Sequence, residues 1–228
     1  MTIYGQYCPV AKAVEVLGER WTLLVLRELL QGSRRFNELQ RGLAKMSPSL
    51  LTKRLKELEA AGLILRLPVS GQKSFEYELT QAGRELNPVI MELARWGLKW
   101  TRDSLERDEL DIDLLMLDMQ RNVNRALLPM SKVVVQFHFT DQTEFANWWL
   151  IFDHREVDVC SIDPGVDADI YLNGALEDFI RYWIGDFNWE FARRERRILM
   201  RGHSALLREF PKWLSRSGGA QLNPRFTG

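Results

Sequence analysis

Four side chains with hydroxyl or ammonium groups recur on one side of a stretch in the first hundred residues. They are Ser49, Thr52, Lys53 and Lys56. Ammonium groups bind phosphate, and small hydroxyl groups contact phosphates and base edges. On the opposite side Leu51, Leu55 and Leu58 recur at intervals of four and three residues, which predicts a helix with one apolar and one polar face. The pattern is typical of a helix that lies against nucleic acid.

Both ends of this helix are marked in the sequence. Ser47 is a favourable N-cap, and Pro48 suits the first helical position because it lacks an amide hydrogen that would otherwise stay unpaired. Gly62 allows the left-handed conformation with which helices commonly end. The chain continues with two strand-like stretches, 63–67 and 75–79, joined by turn residues. These stretches predict a β-hairpin with one buried face.

A shorter helix, expected over residues 33–41, precedes the polar helix, and the apolar segment 21–30 is the expected central helix, buried on nearly all sides. Arg34 and Arg35 face outward. In a helix-turn-helix the second helix enters the major groove by its N-terminal residues, and the first helix crosses the phosphate backbone. We therefore predict backbone contacts from both arginines and from the hairpin tip. The predicted DNA contacts are Ser47, Ser49, Thr52, Lys53, Lys56, Arg34, Arg35, Lys73 and Ser74.

Several motifs in this part of the chain are shared with a known family. They are Cys8-Pro9, Gly18-Glu19-Arg20-Trp21-Thr22, Gly32-Ser33-Arg34-Arg35-Phe36-Asn37-Glu38-Leu39, Leu51-Thr52-Lys53-Arg54-Leu55-Lys56-Glu57-Leu58-Glu59, Gly62-Leu63 and Tyr77-Glu78-Leu79-Thr80. They closely resemble the HxlR family of bacterial winged-helix transcription regulators, over roughly residues 5–101. The resemblance implies an obligate dimer formed through terminal helices. In several members it also implies a thiol-based redox sensor at the position of Cys8.

The helix predicted after the hairpin, from Asn87-Pro88 onward, has an apolar stripe with two tryptophans. Such a stripe exceeds what a small domain needs for its own core, so it predicts a dimer contact, with ordinary core packing as the alternative. The first helix, between Pro9 and Gly18, is expected to share this contact. The predicted dimer residues are Val14, Leu93, Trp96 and Trp100.

Charge divides the chain into two parts. Residues 1–102 hold 16 Lys and Arg against 10 Asp and Glu, a net charge of +6, whereas residues 103–228 hold 15 against 21, a net charge of −6. A locally basic part is what nucleic-acid binding requires, whatever the charge of the whole chain. We predict a winged helix-turn-helix domain at 1–102, a second domain at 103–217 and a flexible tail at 218–228.

Beyond residue 128 the apolar pattern changes from helical spacing to strand-like alternation. The expected elements are a helix at 111–128, strands at 133–139, 146–152, 157–162 and 169–172, helices at 176–185 and 188–195, an edge strand at 198–201 and a last helix at 204–214. Together they predict an α+β fold, in which a mostly antiparallel sheet is covered by helices on one face.

Stretches of this second half resemble the sterol carrier protein type-2-like fold, over roughly residues 110–215. They are Val133–Phe139, Trp148–Phe152, Asp167-Ala168-Asp169-Ile170, Leu176–Gly185 and Ile198-Leu199-Met200-Arg201-Gly202-His203. The resemblance implies a tunnel for an apolar ligand and no catalysis. The candidate lining residues are Trp148, Trp149, Phe179, Trp183, Phe187 and Trp189, for which an ordinary aromatic core is the alternative.

Other kinds of chemistry find little support. His138, His154 and His203 lack the spacing of metal ligands, and no motif for a nucleophile or a nucleotide cofactor occurs, so we expect no metal, no cofactor and no enzyme. Cys8 and Cys160 imply no disulfide framework, and no apolar run reaches the ~18 residues of a membrane helix. A cytoplasmic protein is therefore expected.

The first cysteine, Cys8, lies where a helix dipole would favour its thiolate, so it is a candidate for oxidation as well as for simple burial. The sequence as a whole favours a homodimeric transcription regulator that binds a two-fold operator in double-stranded DNA. An apolar small molecule in the second domain, or oxidation of Cys8, would modulate it. The alternative is a carrier of apolar ligands whose winged domain makes protein contacts.

Overall fold

The fold is described from a computed structural model, for residues 3–71, 73–101, 109–153 and 156–214. The chain forms two compact units, Met1–Leu93 and Ala94–Gly228. The predicted boundary between residues 102 and 103, the predicted tail at 218–228, and His154 lie outside the described residues and stay predictions.

The elements of the first unit are α1 (Pro9–Leu17), α2 (Thr22–Leu30), α3 (Phe36–Gly42), α4 (Pro48–Ala60), β1 (Ile64–Pro68), β2 (Phe75–Leu79) and α5 (Gln81–Arg84). Helix α6 (Asn87–Trp100) crosses the division. The elements of the second unit are α7 (Ile112–Arg121), β3 (Val133–Phe139), β4 (Asn147–Asp153), β5 (Glu156–Cys160), β6 (Ile170–Gly174), α8 (Leu176–Trp183), α9 (Trp189–Arg194), β7 (Ile198–Gly202) and α10 (Ser204–Trp213).

The core of the first unit is built around α4. Leu51, Leu55 and Leu58 are fully buried, as their spacing predicted, and they pack with leucines of α2 and α3. Burial of one leucine side chain contributes about 1.5–3 kcal/mol, so this stripe is a main source of the stability of α4. Gly62 has a φ of +72° and ends the helix as expected.

Helix α2 is the largely buried helix that the sequence predicted, since all of its residues except Leu24 are buried or half-buried. One of the fully buried groups is the carboxylate of Glu28. Glu28 Oε1 lies 2.8 Å from Arg27 Nη2, and Ser33 Oγ donates to Glu28 Oε2 at 3.4 Å. These partners offset the cost of removing a carboxylate from water. A Cβ atom on Gly42 would lie 1.9 Å from Glu28 Oε2, so the position of this carboxylate favours glycine as the last residue of α3.

The predicted hairpin is confirmed, since β1 and β2 pair antiparallel. The expected buried face is confirmed at the base of the hairpin and is wrong at its outer end. Ile64 and Leu79, which are paired at the base, are buried and Tyr77 packs against the core, but Phe75 is exposed. The outer part of the hairpin extends beyond the helices, and the guanidinium of Arg66 covers the ring of Phe75 at 3.5 Å from its centroid.

The second unit contains a five-stranded sheet in the order β5-β4-β3-β6-β7. The pairs are antiparallel except for β3 with β6, which is parallel. Helices α7 to α10 contribute side chains to one core on one face of the sheet, among them Met116, Phe179, Ala192 and Phe210. The predicted α+β architecture is thus confirmed.

One helix of the second unit is shorter than predicted. The expected helix at 111–128 ends at Arg121. The backbone that follows pairs with the end of α10 instead, because Asn124 N donates to Trp213 O at 2.7 Å. This long-range hydrogen bond takes a donor that a longer helix would have used within itself.

Candidate nucleic-acid interface

A five-residue turn, 43–47, joins α3 to α4. Leu43 and Met46 of this turn are buried, and Gln40 Nε2 donates to Met46 O at 2.7 Å. The side-chain amide of Gln40, in α3, therefore bridges the turn and helps to fix the position at which α4 begins. The two helices form the helix-turn-helix that the spacing predicted.

Exposed hydroxyl groups cover the first turn of α4. Ser47 Oγ accepts from Leu50 N at 3.3 Å, so the predicted N-cap is confirmed. Ser49 Oγ lies 3.2 Å from Ser47 Oγ, and Thr52 Oγ1 donates to Pro48 O at 2.9 Å. A hydroxyl oxygen has two acceptor lone pairs, so each group keeps capacity for an external donor.

The lysines of α4 lie on the exposed face, as predicted. Lys53 Nζ is 3.9 Å from Glu57 Oε1, one helical turn away. An exposed pair of this kind is worth about 0–1 kcal/mol, which leaves Lys53 able to turn to a phosphate. Lys56 makes no ion pair with any residue that the structure describes.

A buried arginine of α4 was missed by the sequence analysis. The side chain of Arg54 is only 6% exposed. Its Nε donates to Arg20 O at 2.9 Å, its Nη2 donates to Glu19 Oε2 at 3.0 Å, and its Nη1 donates to Glu57. The guanidinium therefore ties α4 to the turn between α1 and α2.

The signal for this role was present in the helical spacing. Arg54 stands three residues after Leu51 and four before Leu58, on the buried stripe of α4. The turn that it holds contains Trp21 with a left-handed φ of 77°. This conformation is unfavourable for a bulky residue, so it requires support from surrounding contacts.

Arg34 and Arg35, the predicted backbone contacts, are paired with carboxylates of the hairpin. Arg35 Nε donates to Glu76 Oε1 at 3.0 Å, and Arg34 Nη1 donates to Glu78. Tyr77 N donates to Arg34 O at 2.8 Å, which places this stretch of backbone beside β2. Sequence reasoning did not predict these pairs.

The other predicted contacts lie at the hairpin tip. Lys73 is exposed and Ser74 is half-buried. Ser74 O accepts from Val69 N at 3.0 Å, which closes the turn. Gln72 lies outside the described residues.

The apolar stripe of α6 is not part of a core within the chain. Leu93, Trp96 and Trp100 are 47%, 59% and 62% exposed. Val14 of α1 is exposed as well. Ordinary core packing, the alternative for this stripe, is therefore wrong for the single chain.

Cys8 is half-buried and precedes the first residue of α1, where its carbonyl oxygen accepts from Lys12 N at 3.0 Å. The thiol thus has the position at the helix start that the sequence predicted. Cys160 belongs to the other unit, at the end of β5.

The six aromatic residues predicted to line a tunnel do not share one surface. Trp148, Phe179, Trp183 and Phe187 are buried in the core of the second unit. The ring of Phe179 lies 5.3 Å from that of Phe139, so these side chains fill space between sheet and helices. Trp149 follows Trp148 in β4 and faces the opposite side of the sheet. Trp189 packs at the edge of the core, where the centroid of its ring lies 5.2 Å from that of Tyr182.

A cleft of about 710 Å³ is lined by residues of α8, α9 and the segments that follow each helix. It is bordered by Phe187, Phe191 and Asn188 and by the charged residues Glu177, Arg181, Asp186, Glu190, Arg194 and Arg197. The hydrogen bond with Glu177 raises the pKa of Arg181 above its ordinary value. Of the predicted lining residues, Phe187 borders this cleft.

Among the residues that the structure describes, no group of three or more His, Cys, Asp or Glu side chains is arranged to hold a metal ion. No helix in the described part of the chain combines the length and apolar character needed to cross a membrane.

The fold and the exposed face of α4 define a helix-turn-helix protein of the winged type. The HxlR-like helix-turn-helix family matches residues 16–105. Over 99 residues, 42% of this chain and 91% of the relative, the chain is 39% identical to the uncharacterized HTH-type transcriptional regulator YvaP of Bacillus subtilis (strain 168). The chain belongs to the HxlR family of transcriptional regulators.

Other similar proteins match a similar share of the chain. The uncharacterized HTH-type transcriptional regulator Rv3095 of Mycobacterium tuberculosis (strain ATCC 25618 / H37Rv) is 47% identical over 89 residues, 39% of this chain. The matched stretch spans 56% of that relative. Among solved structures, the redox regulator HypR in its oxidized form is 35% identical, with a TM-score of 0.39 over 42% of this chain and 100% of that one.

Loss of the Arg54 guanidinium should destabilise the first unit. Hydrogen bonds of charged groups contribute about 1.5–3 kcal/mol each, but Glu19 and Glu57 can regain water, so we expect Arg54→Gln to lower the free energy of unfolding by about 2–3 kcal/mol. Arg41→Gln removes an exposed cation of α3 and should change it by less than about 0.5 kcal/mol. Urea unfolding, with hydrogen exchange of the α4 amides, measures both. Equal stability of Arg54→Gln and the wild type would contradict the assigned role.

Proposed function

We propose that the protein is a homodimeric transcriptional regulator that binds a two-fold operator in double-stranded DNA. One observation carries the proposal: α4 presents exposed hydroxyl and ammonium groups on a helix that is buried along its other face and capped at its start. A helix held in this way can insert its N-terminal half into the major groove without losing its own contacts.

The proposed contacts form two groups. Side chains within α4 would contact a base or a phosphate, and residues outside α4 would contact the DNA backbone. Lys53 and Lys56 would contact phosphate or guanine, while Ser49 and Thr52 would reach base edges or phosphate. The proposed backbone contacts are Ser47, Arg34, Arg35, Lys73 and Ser74. The ion pairs of both arginines have to open, or share their donors, when a phosphate binds.

Replacement of the α4 lysines should weaken DNA binding. Lys53→Ala or Lys56→Ala should cost about 1–3 kcal/mol where the lysine reads a base, or lower the slope of log K against log salt by about one unit where it contacts phosphate alone. Selected genomic fragments supply the operator, and fluorescence anisotropy at several salt concentrations measures the affinity.

The matched control is Glu59→Ala, which changes an exposed charge at the far end of the same helix and should leave the affinity nearly unchanged. Operator affinity that is the same in both lysine variants as in the wild type would overturn the placement of α4. A protein that shifts no DNA fragment, yet binds apolar molecules, would favour the carrier alternative.

The exposed stripe of α6 supports dimer formation. Leu93, Trp96 and Trp100 present apolar surface that a partner copy could cover, together with Val14 of α1. A two-fold axis between two winged units would place their α4 helices in successive major grooves. The half-sites would then be separated by about one helical turn, near 34–36 Å.

Truncation of Trp96 should loosen the dimer. Central interface tryptophans often contribute 2 kcal/mol or more, so Trp96→Ala should raise the dimer dissociation constant by about 30-fold. Met130→Ala is the control, since Met130 is an exposed apolar residue of the second unit, 82% accessible, and should have no effect. Sedimentation equilibrium of the full chain measures both. An unchanged constant in Trp96→Ala would move the dimer contact away from α6.

The proposal assigns modulation to the second unit or to Cys8. The aromatic set supports an apolar ligand, since it lies in sequence stretches that resemble the sterol carrier protein type-2-like fold, and Phe187 and Phe191 give the neighbouring cleft an apolar part. The buried packing of Phe179 and Trp183 means that such a ligand would have to displace side chains. Cys8, at the start of a helix that carries part of the proposed dimer surface, supports oxidation as the second route.

An effector should change operator affinity by its differential affinity for two states of the protein, typically about 1–3 kcal/mol. The test is to extract the protein for bound lipids, titrate fatty acids and sterols, and follow tryptophan emission together with operator affinity. Hydrogen peroxide replaces the ligand in a second arm. There Cys8→Ser should abolish any response and Cys160→Ser should retain it. No bound lipid and no change in emission would exclude the apolar ligand, and an equal peroxide response in Cys8→Ser would exclude the thiol.

A further inference from the structure

Two carboxylates of β2 lie against the two arginines that precede α3. Arg35 Nε donates to Glu76 Oε1 at 3.0 Å, and Arg34 Nη1 donates to Glu78. The backbone holds the two stretches together, because Tyr77 N donates to Arg34 O at 2.8 Å and residues 35 and 76 form an antiparallel bridge. The pairing therefore does not depend on the side chains alone.

These ion pairs are exposed to solvent. The arginine side chains are 56% and 50% accessible, and their carboxylate partners are 37% and 31% accessible. Exposed pairs contribute little to stability, and here the β-ladder and the bond from Tyr77 N already hold the hairpin in place. Stability therefore gives these carboxylates only a minor role.

The effect of Glu76 and Glu78 on DNA binding should be much larger than their effect on stability. Each guanidinium has five N–H donors and uses one of them in its pair, so it can still receive a phosphate. The neighbouring carboxylate, however, repels that phosphate and cancels the charge that attracts it. Phosphate contacts supply essentially all of the affinity for random DNA, whereas base contacts supply the preference for an operator.

We infer that Glu76 and Glu78 weaken the hold of the paired arginines on the phosphate backbone, so that their negative charge limits the affinity of the protein for DNA of any sequence. This inference rests on the proposed function, in which these arginines contact the backbone. The negative charge of the two carboxylates reduces the part of the DNA affinity that is independent of sequence, and it leaves the base contacts of α4 unchanged.

The test compares the full-length wild type with Glu76→Gln, Glu78→Gln and the variant with both changes. Glutamine keeps an acceptor oxygen and removes the charge. The doubly substituted protein should bind a random 30-base-pair duplex about 10-fold more tightly at low salt, with a salt slope steeper by about one to two units. Affinity for the selected operator should rise by a similar factor, because the arginines contact its backbone as well and the base contacts of α4 are unchanged. Glu59→Gln, with the same charge change on α4, should alter random binding by less than about 2-fold.

A double-mutant cycle tests whether the arginine mediates the effect. The gain from Glu78→Gln should be largely lost in an Arg34→Gln background, and an equal gain in both backgrounds would overturn the inference. If the Glu76 and Glu78 variants bind random DNA no more tightly than the wild type, while the wild type still selects an operator, the inference is overturned. The proposed function would then still stand. A wild type that binds no DNA would overturn both. If the doubly substituted protein does not fold, the single variants, which each keep one pair intact, carry the test.

Discussion

The position of α4 depends on the buried guanidinium of Arg54. Leucine burial holds the helix against the first unit, but apolar contacts are non-directional and allow a helix to slide or rotate. The guanidinium adds direction, since its donors reach Arg20 O and Glu19 on one side and Glu57 within the helix. Because Glu57 also lies near Lys53, the network that anchors the buried face extends to a lysine on the exposed face. Stability and the proposed DNA contact are thus coupled through one helix.

Carboxylates take a larger part in the winged unit than its net positive charge suggests. Glu28 is buried between α2 and α3 and leaves room for glycine alone at position 42, while Glu76 and Glu78 face the arginines before α3. The buried carboxylate fills the space beside Gly42. The exposed carboxylates weaken the attraction of the paired arginines for an anionic ligand. A phosphate backbone would therefore be attracted more strongly to the cations of α4 than to the arginines before α3, whose charge is offset by the hairpin carboxylates.

The apolar side chains around the five-stranded sheet differ in exposure from those of α6. In the second unit the aromatic side chains pack against one face of the sheet, and Phe137, Phe139 and Phe179 form ring contacts there. In α6 the tryptophans remain exposed. Exposed tryptophan costs free energy in water, which a partner surface would recover, whereas a filled core gains nothing from a further ligand without rearrangement. The physical case for a protein partner at α6 is therefore stronger than the case for an apolar ligand among the core aromatics.

The sequence by itself determined the elements and their ends. Ser47, Pro48 and Gly62 mark α4, its leucine stripe marks the buried face, and strand alternation marks the sheet, because caps, periodicity and turn preferences act within a few residues. Tertiary structure alone decided the rest. Arg34 pairs with Glu78 across 44 positions, and Arg54 reaches Glu19 across 35. Likewise, the core aromatic side chains pack against one another, whereas the apolar stripe of α6 is exposed to solvent. These outcomes depend on which distant groups come within hydrogen-bond or contact distance, and local periodicity carries no information about that.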